Sequence, residues 1–379
     1  MIFKNKLKKL LSLGAVNVGS SLILSLFWLF LASILSQSEY GEIGYLVSIA
    51  NVGMAIAMMG FNTIIVVYES KKENVFPSSF LIVLVSAIVV AFGTFIFIQN
   101  ILVSVLIIGV VIFNTILAGL NGYQRYLEFS IHRILRSIIT IIIAIIGYYY
   151  FGINGILFGY FISTLFILKE LNSLLKNKKM DFSFLKSRVP LMLHAYAMRL
   201  TDVFIRWGDK IVIASLFGFS VLAPYYFAVQ YLLVLLTIPQ SLSIYLLPQE
   251  SQGQKNKKLK IFSILTSCLI ALLSIFLIPL GITTYFPKFE NSIIAMQILS
   301  IAIIPVTVTT IQESEFFGKE NSRVVLYGFI IQSGFYLLSI ILLGQMFGLI
   351  GFSVGFVIAV ILRVIYNFLA RKNIINFLS

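Results

Sequence analysis

Apolar stretches long enough to cross roughly 30 Å of hydrocarbon recur twelve times along this chain. A soluble domain cannot be built on that pattern. The chain is 59% hydrophobic and only 11% charged, so a water-facing surface would be largely apolar. Runs such as Ile101 to Leu120 do not alternate in polarity, as the strands of an outer-membrane barrel would. The reading is an all-α polytopic membrane protein of about twelve transmembrane helices. The spans are expected at about residues 11–35, 44–68, 79–98, 101–120, 133–150, 152–168, 190–216, 221–246, 260–280, 292–313, 323–344 and 349–369. The first is too long for the apolar core of a signal peptide and is followed by further spans, so it is taken as the first helix.

Basic residues give an orientation. With Lys4, Lys6, Lys8 and Lys9 in the cytoplasm, every second loop is basic. These loops hold Lys71 and Lys72, then Arg125, Arg133 and Arg136, then Lys169, Lys176, Lys178, Lys179, Lys186 and Arg188. Lys255, Lys257, Lys258 and Lys260, then Lys319 and Arg323, and finally Arg371 and Lys372 complete the series. The opposite side receives only Lys288. This asymmetry places both termini in the cytoplasm. It also accounts for the net charge of +14 without a nucleic-acid partner.

The longest hydrophilic stretch follows span six and divides the chain into six plus six. The expected units are an N-terminal six-helix bundle over 1–171, a basic linker over 172–188 and a C-terminal six-helix bundle over 189–379. A faint echo links the halves at an offset of about 181 residues: Leu31-Ala32-Ser33 with Ile213-Ala214-Ser215, and Glu69-Ser70 with Glu250-Ser251. An even number of spans per half makes them parallel repeats.

Several chemistries find no foothold. Cys268 is the single cysteine, so neither a disulfide nor a Cys metal site is built. His132 and His194 lack the close spacing of typical zinc ligands. No glycine-rich turn ends in Gly-Lys-Ser/Thr, which argues against an ATP-driven pump. The outer loops are too short to carry a catalytic domain, so the chain is not expected to be an enzyme, and no cofactor is expected.

Span seven is the exception to the apolar pattern. It carries Arg199, Asp202, Arg206, Asp209 and Lys210. At 100° per residue all five fall within about 100° of arc, flanked by Tyr196 and Trp207. Each charge costs roughly 2.5–3.5 kcal/mol at the centre of an inserted helix, so the stripe must meet protein or water. Two arrangements satisfy it. One is self-pairing at i,i+3 and i,i+4 against neighbouring helices; the other is a water-filled, substrate-facing cavity, which the excess of three cations over two anions favours. Arg363 in span twelve either snorkels to the cytoplasmic interface or joins that cavity. Polar residues of the first half, among them Asn17, Asn51, Asn62, Thr63 and Asn114, read first as interhelical hydrogen-bonding groups. Pro239-Gln240 and Pro305 mark candidate bends.

Twelve helices in two halves about a basic central loop resemble the multidrug/oligosaccharidyl-lipid/polysaccharide exporter superfamily, and within it the Wzx-type O-antigen and polysaccharide flippases. Tyr40-Gly41, Gly60-Phe61, Asp209-Lys210, Phe217-Gly218, Tyr225 and Pro248 carry the resemblance. Ala223-Pro224 departs from it at a turn where the family often has Gly. The resemblance implies two bundles around a central cavity. It implies transport of an undecaprenyl-pyrophosphate-linked oligosaccharide, an O-antigen or capsule repeat unit, from the inner to the outer leaflet by alternating access. Arg199, Arg206, Lys210 and Arg363, with Tyr196, would hold the pyrophosphate headgroup. Asp202 or Asp209 would couple transport to protons or sodium. Implied partners are membrane lipid, the glycan polymerase and the chain-length machinery. The rival readings are a small-molecule antiporter of the same superfamily, whose usual cationic cargo suits an acidic cavity, and a membrane glycan polymerase, which needs a large external loop.

Overall fold

The computed structural model describes residues 2–176, 180–250, 257–318 and 321–371. The basic residues Lys178, Lys179, Lys255, Lys319 and Lys372, and Ser251, lie outside that range, as do the side chains of Lys4 to Lys9, Asn17, Gln240, Pro248 and Glu250. The described residues form helices and short connections: α1 (Ile2–Ile34), α2 (Gln37–Met58), α3 (Phe61–Ser70), α4 (Phe76–Ile98), α5 (Ile101–Gly122), α6 (Tyr126–Phe151), α7 (Ile153–Leu165), α8 (Leu168–Leu175), α9 (Ser183–Lys186) and α10 (Val189–Val203). A π-turn over Phe204–Gly208 leads into α11 (Asp209–Phe217) and α12 (Phe219–Glu250). α13 (Lys257–Tyr285), a 3₁₀ turn over Pro287–Ser292, α14 (Ile293–Ile301), α15 (Ile303–Gly318) and α16 (Ser322–Arg371) complete the chain. In hydrocarbon a backbone must satisfy its own polar groups, which helices do.

Among the described residues nine helices are long and apolar enough to cross a membrane, so the protein is a multi-pass membrane protein. The twelve expected spans all fall on helix. α16 carries two of them across a break at Gly348, the described part of span one is the shorter apolar stretch Gly19–Ile34, and span seven has too many charges for a purely apolar criterion. Span two is two helices, α2 and α3, separated at Met59 and Gly60, both with positive φ. Span five begins earlier than expected. α6 starts at Tyr126, seven residues before the expected start at Arg133, which puts Arg133 and Arg136 in its second and third turns. Hydropathy trims a helix at its first charges, but charged residues do not end one.

The chain packs as two compact units: Met1–Gly44 with Asp209–Ser379, and Tyr45–Gly208. This grouping differs from sequence order in where it puts the first helix and most of the seventh span.

In the unit formed by Tyr45–Gly208, the hairpin α6–α7 is held by small residues. Gly152 turns the chain with φ 59° and ψ −140°, a conformation available to glycine alone among ordinary residues. A Cβ on Gly155 would lie 1.9 Å from the Gly147 carbonyl oxygen, and one on Gly159 would lie 2.5 Å from the Ala144 nitrogen. One turn further, Thr140 Oγ1 bonds Ser163 Oγ at 2.8 Å. Gly155, Gly159 and Ser163 thus form the small-residue face along which membrane helices pack backbone to backbone. Gly60 does the same for α10: a Cβ there would meet the Met192 carbonyl oxygen at 2.6 Å and the Tyr196 nitrogen at 2.9 Å.

The other unit repeats the hairpin within α16. Gly348 turns the chain with φ 53° and ψ −128°. A Cβ on Gly351 would lie 2.1 Å from the Leu343 carbonyl oxygen, and one on Gly355 would lie 2.5 Å from Ser339 Cβ. Gly152, Gly155 and Gly159 match Gly348, Gly351 and Gly355 at a constant offset, an echo that lies in backbone approach rather than in polarity. Elsewhere in this unit Trp28, Tyr40, Tyr226, Phe227 and Phe289 interlock, with Trp28 edge-on to Tyr226 at 4.9 Å and Phe227 stacked on Phe289 at 4.5 Å. Lys288 Nζ reaches the Ser33 carbonyl at 3.0 Å, a cation at the C-terminus of α1 where unpaired carbonyls gather.

Gly155→Ala is expected to lower the detergent-solubilised protein's unfolding midpoint measurably, by about 1–3 kcal/mol in stability. Gly93→Ala, with open space at its Cβ, is expected to leave it unchanged. Equal midpoints for the two variants would contradict the close-packed hairpin.

Candidate functional site

The five charges of span seven do not form one stripe. The π-turn at Phe204–Gly208 widens the helix locally, so residues beyond it are rotated away from their positions at 100° per residue. Arg199, Asp202 and Arg206 precede or occupy the turn, whereas Asp209 and Lys210 open α11 and belong to the other compact unit.

Within Tyr45–Gly208, one carboxylate is shared by two guanidiniums. Arg199 Nη1 donates to Asp202 Oδ2 at 3.1 Å, and Arg206 Nε donates to Asp202 Oδ1 at 2.8 Å. This is the i,i+3 and i,i+4 pairing expected of helix faces. The two arginine side chains are 44% and 53% exposed, and Asp202 is 20% exposed. Charged groups exposed this far along a membrane helix cannot face hydrocarbon, so water must reach them. The charge of Arg199 also acts on Arg133 of α6. Arg136, one turn on, lies 4.5 Å above the Phe113 ring, a favourable cation–π placement. Tyr196 is half-buried, and its backbone rides over Gly60.

α3, α5 and α6 of the same unit enclose an open cavity of about 350 Å³ lined by Asn62, Thr63, Asn114, Asn121, Phe129 and Arg133, with aliphatic side chains between them. Sequence reasoning read Arg133, at the start of span five, only as a basic residue of the cytoplasmic side and so missed it. The signal that finds it is the continuous helical pattern from Tyr126.

At one end of the unit, Arg125 ties the α5–α6 turn to α8. It pairs with Glu128 and, at 2.7 Å, with Glu170, which also meets His132 Nε2 at 3.1 Å. The hydrogen bond that Arg125 donates to Glu128 pushes its guanidinium further above its ordinary pKa. Tyr123 in the same turn is raised chiefly by burial and then by its bond to Glu69. The Glu69 carboxylate in turn accepts from the backbone nitrogens of Val75 and Phe76, at 2.9 and 2.6 Å. It thereby serves the open N-terminus of α4, where an anion is favoured.

In the other unit, Asp209 and Lys210 are 2% and 3% exposed. Lys210 Nζ sits 2.9 Å from the Asp209 carboxylate, and Tyr225 Oη donates to it at 2.6 Å. Tyr336 closes the group through the Tyr225 hydroxyl. Arg363 is buried too. It pairs with Glu313, donates to Gln332 Oε1 at 2.9 Å and lies 3.5 Å above the Phe329 ring. It therefore does not snorkel, and its partner Glu313 was not singled out from sequence. Among the described residues no three His, Cys, Asp or Glu side chains gather to hold a metal.

Several of the residues that carry the family resemblance occupy packing positions. Tyr40, Phe61 and Tyr225 are fully buried, Gly41 lies beneath the Phe219 carbonyl, and Gly60 and Gly218 have positive φ.

Lys210→Met strands a buried carboxylate. It is expected to destabilise the protein by about 3–5 kcal/mol, most of it recovered when Asp209→Asn is added. Thermal unfolding in detergent distinguishes this from two independent charges, for which the double variant would be the worse.

No curated protein matches the chain in sequence. Three solved structures share its fold. The inward-facing conformation of a multidrug resistance MATE family transporter of the MOP superfamily is 15% identical, with a TM-score of 0.71 over 94% of both chains. An outward-facing conformation of such a transporter, also 15% identical, gives 0.63 over 98% of this chain and 97% of that one. The lipid II flippase MurJ in an inward closed conformation is 17% identical and gives 0.61 over 98% of this chain and 79% of that one. The polysaccharide biosynthesis protein family matches residues 30–286, more than half of the chain. The chain belongs to the polysaccharide biosynthesis protein family and has the fold of the MATE and MurJ transporters.

Proposed function

We propose that the protein is a flippase that carries an undecaprenyl-pyrophosphate-linked oligosaccharide, an O-antigen or capsule repeat unit, from the inner to the outer leaflet of the bacterial cytoplasmic membrane. The observation that carries this reading is the pair Arg199 and Arg206, both exposed and both bonded to Asp202. A pyrophosphate offers oxygens that guanidiniums clasp bidentately. The membership in a polysaccharide biosynthesis family and the likeness to a lipid II flippase support a lipid-linked glycan over the small-molecule cargo of the multidrug transporters that share the fold. Transport rather than catalysis is the role that suits such a fold.

The headgroup role narrows to Arg199 and Arg206, with Tyr196 beside them. Lys210 and Arg363 were candidates for the same role, but their charges are met by Asp209 and Glu313 in buried pairs. We assign them to holding the second bundle together. Asp202 is the stronger candidate for coupling to a proton or sodium gradient, because it is both accessible and bonded to the two arginines. Neutralising it would free both guanidiniums for substrate. Alternating access would rock the bundles 1–171 and 189–379 about the linker 172–188. The basic loops would keep both termini cytoplasmic, where the chain would meet substrate before the polymerase and chain-length machinery act on it.

In a strain lacking the gene, the wild-type chain should restore surface glycan. Arg199→Ala and Arg206→Ala should each reduce it at least about tenfold, the equivalent of one lost charge-assisted contact, at unchanged protein abundance. Normal export by both variants would remove the headgroup assignment.

A further inference from the structure

The cavity between α3, α5 and α6 is lined by none of Arg199, Asp202 and Arg206 and has its own chemistry. Four of its lining side chains are amides or hydroxyls: Asn62, Thr63, Asn114 and Asn121. Asn114 is fixed by its own helix, with Nδ2 donating to the Val110 carbonyl at 2.8 Å, which leaves Oδ1 as an acceptor. The side chains of Asn62, Thr63 and Asn121 hydrogen-bond to no described residue. Unpaired amides at membrane depth are costly unless water or a ligand meets them. Phe129 gives the cavity one aromatic wall, and Arg133, 6.0 Å from that ring, gives it a cation. Among the described residues no acidic side chain lines it. At about 350 Å³ it falls at the lower end of small-ligand pockets.

We propose that this cavity binds a pyranose ring of the glycan. Each amide presents a donor and an acceptor side by side, the pattern that pairs with neighbouring hydroxyls on a sugar. Phe129 offers a flat apolar surface to the C–H face of a ring. Arg133 can donate several hydrogen bonds to hydroxyl or ring oxygens. A lipophilic drug cation would meet Arg133 with no carboxylate in the lining to attract it, and a bare phosphate would leave most of the amides without a partner. Labour is thus divided within Tyr45–Gly208: the arginines on α10 and the π-turn take the charged headgroup, and the amide cavity takes sugar. The choice of ligand class rests on the flippase reading; the unpaired amides do not.

The test is saturation-transfer NMR on the full-length protein in lipid nanodiscs, with D-glucose, D-galactose, D-mannose and N-acetylglucosamine as probes. Sorbitol serves as an acyclic polyol control and orthophosphate as an anion control. At least one pyranose should receive saturation. Asn114→Leu and Asn121→Leu, each removing hydrogen bonds from a helix face, should each weaken that signal roughly five- to tenfold. Unfolding midpoints should stay within about 1 °C of wild type, and sorbitol should give no signal. Three results would overturn the proposal: no pyranose binds, the binding survives both substitutions, or phosphate binds in place of sugar and is lost in the same variants. Because free sugars carry neither lipid nor pyrophosphate, failure here leaves the export results for Arg199 and Arg206 standing.

Discussion

Hydrocarbon cannot solvate charge, and the arrangement of the ionisable groups at membrane depth in this protein follows from that. Lys210 is sealed against Asp209 and two tyrosines, and Arg363 against Glu313, Gln332 and a phenylalanine face. Such pairs offset the desolvation cost only when further hydrogen bonds are made; Tyr225 donates one to Asp209, and Arg363 donates one to Gln332. The pairing of Arg199 and Arg206 with Asp202 is different in kind. It is exposed rather than sealed. A sealed pair stabilises a bundle; an open one can exchange its partners for a ligand's oxygens. Function is therefore sought where the membrane's rule is met by water instead of by protein.

The same solvent explains the hairpins. Lipid tails are as apolar as leucine, so helix association in the membrane relies on close packing and hydrogen bonds. The α6–α7 hairpin and its counterpart in α16 bring backbones together through glycines at matching positions, with a glycine-only turn at Gly152 and Gly348.

Much of the fold was legible in the sequence, because span length and hydropathy are set by bilayer thickness alone. All twelve spans fall on helix. What was not legible was local. Nothing in Phe204-Ile205-Arg206-Trp207-Gly208 announces a π-turn, so five charges drawn on one regular helix became an open cluster of three and a buried pair. The first two turns of α6, from Tyr126 to His132, were trimmed because charge lowers hydropathy without ending a helix. Glu313 went unremarked at the edge of a span, although Arg363 needed a partner. The amide cavity was visible only as scattered asparagines, since their convergence depends on how α3, α5 and α6 pack.

The measurement that tests flipping most directly is the leaflet in which complete lipid-linked repeat units accumulate when the gene is deleted, read by whether an impermeant glycan-modifying enzyme added from outside can reach them in spheroplasts. A flippase predicts surface glycan lost and the units protected on the cytoplasmic face. Units that are readily modified, having crossed without this chain, would contradict it.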